Sequence, residues 1–253
     1  MKEKFLVFDI ETLNSTEDAI AYDIGFVISD RSGFIYEKAS FLVYETFVLE
    51  KDLMNSCYYA KKIPQYKEGL EKNEHFLGGF LDVMFYVREL IKNYNIKYGF
   101  AYNANFDKTG LNRSVRYITK SKFRYFFPKD FQVFCIWHIA CQTIFCQKKF
   151  FKFAIENNLI SKSGNLKTSA EVAYKYITKD ENFEEEHKGL DDTLIELQIL
   201  LKCFAQHKKM NKSINRLCWR IPTQEFKKFY KISKDEKVIS IKNKNLLEKV
   251  VTV

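Results

Sequence analysis

No run in this 253-residue chain approaches the roughly 18–20 consecutive apolar residues that a membrane-crossing helix needs, so no membrane partner is expected. The N-terminal Met-Lys-Glu-Lys enters a short apolar run that stops at Asp9, without the apolar length or small-residue cleavage site of a signal peptide. A cytoplasmic location follows as the expectation. None of the six cysteines (57, 135, 141, 146, 203 and 218) stands in a Cys-x-x-Cys pair. Cys135, Cys141 and Cys146 lie close together, but no His or Cys follows them at zinc-knuckle spacing. A chain of this length does not need disulfide staples, and reduced core thiols are expected. No internal repeat or low-complexity block appears.

Hydrophobic residues make up 46% of the chain, enough for a substantial buried core rather than disorder. The net charge of +9 is unevenly placed. Residues 1–207 hold 28 basic and 28 acidic side chains, whereas residues 208–253 hold 13 Lys and Arg against four acids. The division predicts a neutral domain over 1–207 and a basic C-terminal extension over 208–253. Such an extension suits an anionic partner, or it is simply a solvated segment.

Residues Lys4–Asp9, Ala21–Ser29 and Phe34–Val43 read as three strands, the last two separated by the turn signal Asp30-Arg-Ser-Gly33. From about 48 to 94 the pattern turns helical, with Phe80, Val83, Met84, Val87, Leu90 and Ile91 on one face. Ile96–Tyr102 reads as a fourth strand, a helix follows from near Asn105 to Thr119, and Phe131–Ile136 reads as a fifth strand. Helices are expected over Ala170–Ile177 and from about Asp191 to His207. A meander followed by strands alternating with helices predicts an α/β layered fold on a mixed five-stranded sheet.

Three short segments carry the chemistry. In Phe8-Asp9-Ile10-Glu11-Thr12, residues two apart on a strand share a face, so Asp9 and Glu11 project together. Two carboxylates so close repel unless a cation lies between them, and a hard divalent ion suits such oxygen ligands. An exposed acidic strand face is the other reading. In Tyr102-Asn103-Ala-Asn-Phe106-Asp107, the carboxylate falls where a strand passes into a helix, fit either to cap that helix or to ligate a metal. In His187-Lys-Gly-Leu-Asp191-Asp192, the two aspartates lie about 100° apart around a helix, so only one faces a given site. A capping aspartate and a surface histidine would produce the same string.

Together and in order, these segments resemble the three motifs of the DEDDh proofreading-exonuclease superfamily, which includes the polymerase III proofreading subunit and ribonuclease T. The resemblance covers about residues 1–207 and implies a ribonuclease H-like fold. It implies a 3′→5′ exonuclease that uses two divalent ions, Mg²⁺ or Mn²⁺. Asp9, Glu11, Asp107 and Asp192 would hold the ions, with the His-to-Asp spacing selecting Asp192 over Asp191. His187 would be the general base. Substrate contacts are implied for Thr12, Leu13, Asn103 and Phe106, with Leu13 wedged against the terminal base. Phe106 would stack on that base or lock the motif as a core residue. Here Thr12 is followed by Leu13-Asn14 where family members commonly have Thr-Gly-Leu, and Tyr102 stands where His often precedes Asn.

The implied partner is nucleic acid, as single-stranded DNA or 3′ ends, with RNA as the alternative. The segment Thr168–Leu197 also resembles phage-encoded members, which would place the protein in host cytoplasm. Two other classes are open on the same scaffold. A non-catalytic nucleic-acid-binding or polymerase-associated module predicts loss of a motif acid, and none is missing. A ribonuclease H-like endonuclease leaves His187 unexplained.

Overall fold

A computed structural model describes residues 2–13, 18–122 and 124–230. Residues 231–253, half of the expected basic extension, lie outside the described residues.

The strands β1 (Lys4–Thr12), β2 (Ala21–Asp30) and β3 (Ile35–Val43) form the antiparallel meander. Its β2–β3 turn is closed by the Gly33 amide on the Asp30 carbonyl, with Gly33 at φ +85° where a side chain would be strained. Downstream come β4 (Phe76–Gly78), β5 (Tyr98–Ala101) and β6 (Gln132–Cys135), and the sheet order is β4-β3-β2-β1-β5-β6. Both β5 and β6 run parallel to β1, so meander plus parallel strands give a mixed sheet of ribonuclease H-like topology. Six strands replace the five expected. The addition, β4, is a three-residue edge strand parallel to β3, too short to show a period of two inside a stretch that reads as helical.

Nine α-helices are present among the described residues. They are α1 (Lys51–Ser56), α2 (Ile63–Glu71), α3 (Phe80–Asn93), α4 (Ala104–Thr119), α5 (Ile136–Gln142), α6 (Lys148–Glu156), α7 (Ala170–Thr178), α8 (Gly189–Phe204) and α9 (Arg220–Phe229). None is long and apolar enough to cross a membrane.

Alternation along β1 sorts the core into two layers. Leu6, Phe8 and Ile10 point to one face, where Phe80 and Val87 of α3 and Leu111 of α4 cover them. Phe5 and Val7 point to the other, against Ile139 of α5, Phe150 of α6 and Leu200 of α8. Each such fully buried side chain contributes about 1.5–3 kcal/mol of transfer free energy. Asp9 and Glu11 extend the Phe5–Val7 row, so parity alone carries them to the face that α8 covers.

Helix α8 approaches the sheet at a glycine pair. A Cβ on Gly25 would lie 2.0 Å from the Gly189 carbonyl carbon, so backbone meets backbone there. Beyond α8, the described part of the basic segment packs on the domain: Cys218 and Phe226 are fully buried, and the Phe226 ring meets Phe151 edge-on at 5.5 Å.

Candidate active site

A cleft of about 620 Å³ opens at the end of β1 and gathers residues from five distant stretches of chain, one of them Ser169 and Ala170 at the start of α7. Strand β1 supplies Asp9, Glu11 and Thr12; the start of α4 supplies Asn103, Phe106 and Asp107. From the α7–α8 connection and α8 come Glu185, His187, Asp192 and Glu196, and from the loop after α1 come Tyr58 and Tyr59. Asp191 is not among the lining residues. One ligand atom each of Glu11, His187 and Asp192 lie within 4.8 Å of one another.

Leu13 is not brought to this cleft. The β1–β2 register shifts between Glu11 and Thr12, and Leu13 turns into a third apolar cluster with Tyr22, Leu42 and Phe47. Its amide is held by the Ile20 carbonyl at 2.9 Å, and its side chain is 5% exposed. A wedge on a terminal base from this position would require the cluster to open.

The electrostatics are those of crowded carboxyls. Burial, followed by Asp192 and Asp23, pushes Glu11 up to about 9. Burial and then Glu185 push Asp192 up to about 8. Asp107, hydrogen-bonded to Asp9, is pushed up to about 7 by burial. Asp9 and Glu196 are raised well above the ordinary carboxylate range, by burial first and then by Asp107. His187 moves the other way, lowered by burial and by the Lys62 ammonium, so its imidazole is neutral near pH 7.

His187 stands at φ 48°, in the left-handed region, with its ring stacked on Tyr59 at 4.7 Å between centroids and 21° between planes. Two residues on, the Gly189 amide donates to Asp23 Oδ2 at 2.9 Å. Asp23 also accepts from Tyr66 Oη at 3.0 Å and Ser40 Oγ at 3.0 Å, and Ser40 Oγ meets His75 Nδ1 at 2.7 Å. This buried network lies across the sheet register from Glu11, which pairs with Asp23. It fixes the start of α8, and with it Asp192, relative to β1.

The donor set fits a hard divalent cation. Asp107 Oδ1, Asp192 Oδ1 and Glu196 Oε2 are buried with no hydrogen-bond partner among the described residues, an arrangement costly for a carboxylate oxygen unless a cation answers it. Among the described residues a single buried cation, Lys62, 9% exposed, stands near Glu11, Asp192 and Glu186, too little to balance the acids.

Sequence reasoning missed several of these residues. Glu196 was detectable: it lies one helical turn after Asp192, an acid in an otherwise apolar face. Tyr59, Lys62 and Asp23 carry no such signal, because a loop path and a cross-strand pairing bring them in.

No family model matches the chain, and no curated protein matches it. Among solved structures, the chain is similar to E. coli Exonuclease I in complex with a dA16 oligonucleotide. The identity is 11% and the TM-score 0.47, over 79% of this chain and 41% of that one. The chain thus spans less than half the length of that neighbour.

Proposed function

We propose that this chain is a metal-dependent 3′→5′ exonuclease of the DEDDh type, releasing nucleoside monophosphates from nucleic-acid ends. The observation that carries the reading is convergence. Asp9, Glu11, Asp107, Asp192 and His187, drawn from three distant segments, line one cleft with buried carboxylate oxygens left without donors.

Asp9, Glu11, Asp107 and Asp192 would hold two divalent ions, Mg²⁺ or Mn²⁺. Bound there, the ions supply charge stabilisation for the attacking and leaving oxygens of a phosphodiester, which the bare acids would repel. The neutral imidazole of His187 takes a proton from the attacking water; its lowered pKa keeps it ready near neutral pH. Tyr59 fixes the plane of that ring by stacking. Phe106, half-buried on the cleft wall, offers a face to a terminal base, and Asn103 and Thr12, which line the same cleft, would orient the sugar.

A 5′-labelled single strand incubated with purified protein and Mg²⁺ or Mn²⁺ tests this. A ladder of progressively shorter labelled products is expected, lost on chelation and in Asp9→Ala or Asp192→Ala. Internal cuts, or immediate release of the label, would overturn the polarity or the exonucleolytic action. Matched DNA and RNA strands in parallel then assign the sugar.

A further inference from the structure

Beside the catalytic cleft lies a second groove of about 420 Å³, lined by Asn103, Asn105, Phe106, Thr109, Arg113, Trp137 and Arg216. Asn103 and Phe106 line both, so the two spaces are contiguous. Their charges are opposite. Among the described residues, the cleft is lined by six carboxyl side chains, from Asp9, Glu11, Asp107, Glu185, Asp192 and Glu196, and the groove by two guanidinium groups and no carboxylate.

The two arginines arrive from far apart in sequence. Arg113 lies on α4, two turns beyond Phe106, and Arg216 lies in the segment between α8 and α9. Arg216 Nη2 donates to Asn105 Oδ1 at 3.2 Å, which pins an exposed guanidinium to the groove wall. Trp137 is half-buried, and its indole N–H is spent on Thr168 Oγ1 at 2.9 Å, so the ring is fixed without a free donor toward the groove.

We infer that this groove binds the sugar–phosphate backbone of the strand entering the catalytic cleft, next to the scissile nucleotide. This rests on the exonuclease reading of the cleft. The bare acids of the cleft repel a polyanion and ions held there serve to offset them, so cationic surface just outside the cleft is what adds hold on the rest of the strand. Guanidinium forks suit phosphate oxygens, and the faces of Phe106 and Trp137 suit unpaired bases, a combination that selects a single strand over a duplex. Arg216 thereby makes the segment after α8 part of the substrate path.

The test compares two probes with wild type, Arg216→Glu and Arg113→Lys. Binding of a fluorescein-labelled oligothymidylate is measured by anisotropy with Ca²⁺, and hydrolysis of the p-nitrophenyl ester of thymidine 5′-monophosphate is measured with Mn²⁺. Arg216→Glu is expected to weaken oligonucleotide binding about tenfold and to flatten the log–log salt dependence by about 0.7 per lost phosphate contact. Ester hydrolysis, which needs only the cleft, is expected to stay at the wild-type rate. Arg113→Lys, which keeps the charge but not the fork, should weaken binding severalfold with the salt slope retained. Oligonucleotide affinity and salt slope unchanged in Arg216→Glu would overturn the groove assignment, as would a wild type that binds no oligonucleotide. A wild type that binds the oligonucleotide normally but cleaves neither probe would overturn the exonuclease reading and leave the groove standing.

Discussion

Replacing Gly25 with alanine would put a methyl carbon 2.0 Å from the carbonyl carbon of Gly189, 2.2 Å from its oxygen and 2.3 Å from the Leu190 nitrogen. Carbon atoms in contact sit about 3.5–4.0 Å apart, so the start of α8 must retreat by about 1.5 Å. Asp23, two residues away on the same face of β2, holds the Gly189 amide at 2.9 Å, and such a retreat breaks that bond. Overpacking costs about 1–3 kcal/mol, and the lost hydrogen bond to a charged group about 1.5–3 kcal/mol. At roughly 2–4 °C per kcal/mol for a chain of this size, the melting temperature should fall by about 5–24 °C. The functional loss should exceed what stability alone explains, because Asp192 and His187 shift relative to Asp9 and Glu11. A misplacement near 1 Å costs on the order of 10²-fold in rate. Thermal melts, and single-turnover cleavage of a labelled oligonucleotide at a temperature where the variant is folded, measure the two effects. A Gly25→Ala protein with wild-type melting and wild-type cleavage would refute the claim that the glycine contact seats the helix.

Further outcomes concern the acids and the histidine. The folded-state carboxyls of Asp107, Asp192 and Glu11 titrate at about 7, 8 and 9, above the ordinary range near 4. Folding therefore retains protons that the unfolded chain releases. The metal-free protein is expected to be most stable below about pH 4 as far as these groups are concerned, and to lose that contribution as pH rises through about 7–9. Melts in chelator across that range check it, and saturating Mg²⁺ should remove most of the slope; a flat chelator profile would contradict the crowding of charge. Glu196→Gln should leave metal-free melting near wild type but weaken divalent-ion affinity about 10–100-fold, read by calorimetry. His187→Ala should lower the cleavage rate about 10²–10⁴-fold with oligonucleotide binding in Ca²⁺ retained.

Much of this architecture could be read from residue order. Asp9 and Glu11 follow from strand parity with Phe5 and Val7, and Asp107 from its place at the passage from β5 into α4. The choice of Asp192 over Asp191 rested on spacing, and in the structure Asp192 is the one that lines the cleft. Leu13 misled because the resemblance carried it over as a wedge on the terminal base, whereas here the register shifts between Glu11 and Thr12 and Leu13 packs inward. Strand β4 is shorter than any periodic signal. Tyr59, Lys62 and Asp23 depend on how loops and neighbouring strands close over the site, which no local pattern encodes. The role of Arg216 was hidden for the same reason: it reads as one charge among many in a basic stretch.

The backbone of His187 adds a further consequence. At φ 48° a residue with a Cβ is held in a conformation that glycine enters freely, at a cost of about 1–3 kcal/mol. A selection for thermostability alone would thus favour His187→Gly, and proteins recovered from such a selection should be firmer yet slower by about the same 10²–10⁴-fold as His187→Ala. Hardiness and turnover pull in opposite directions at this one position.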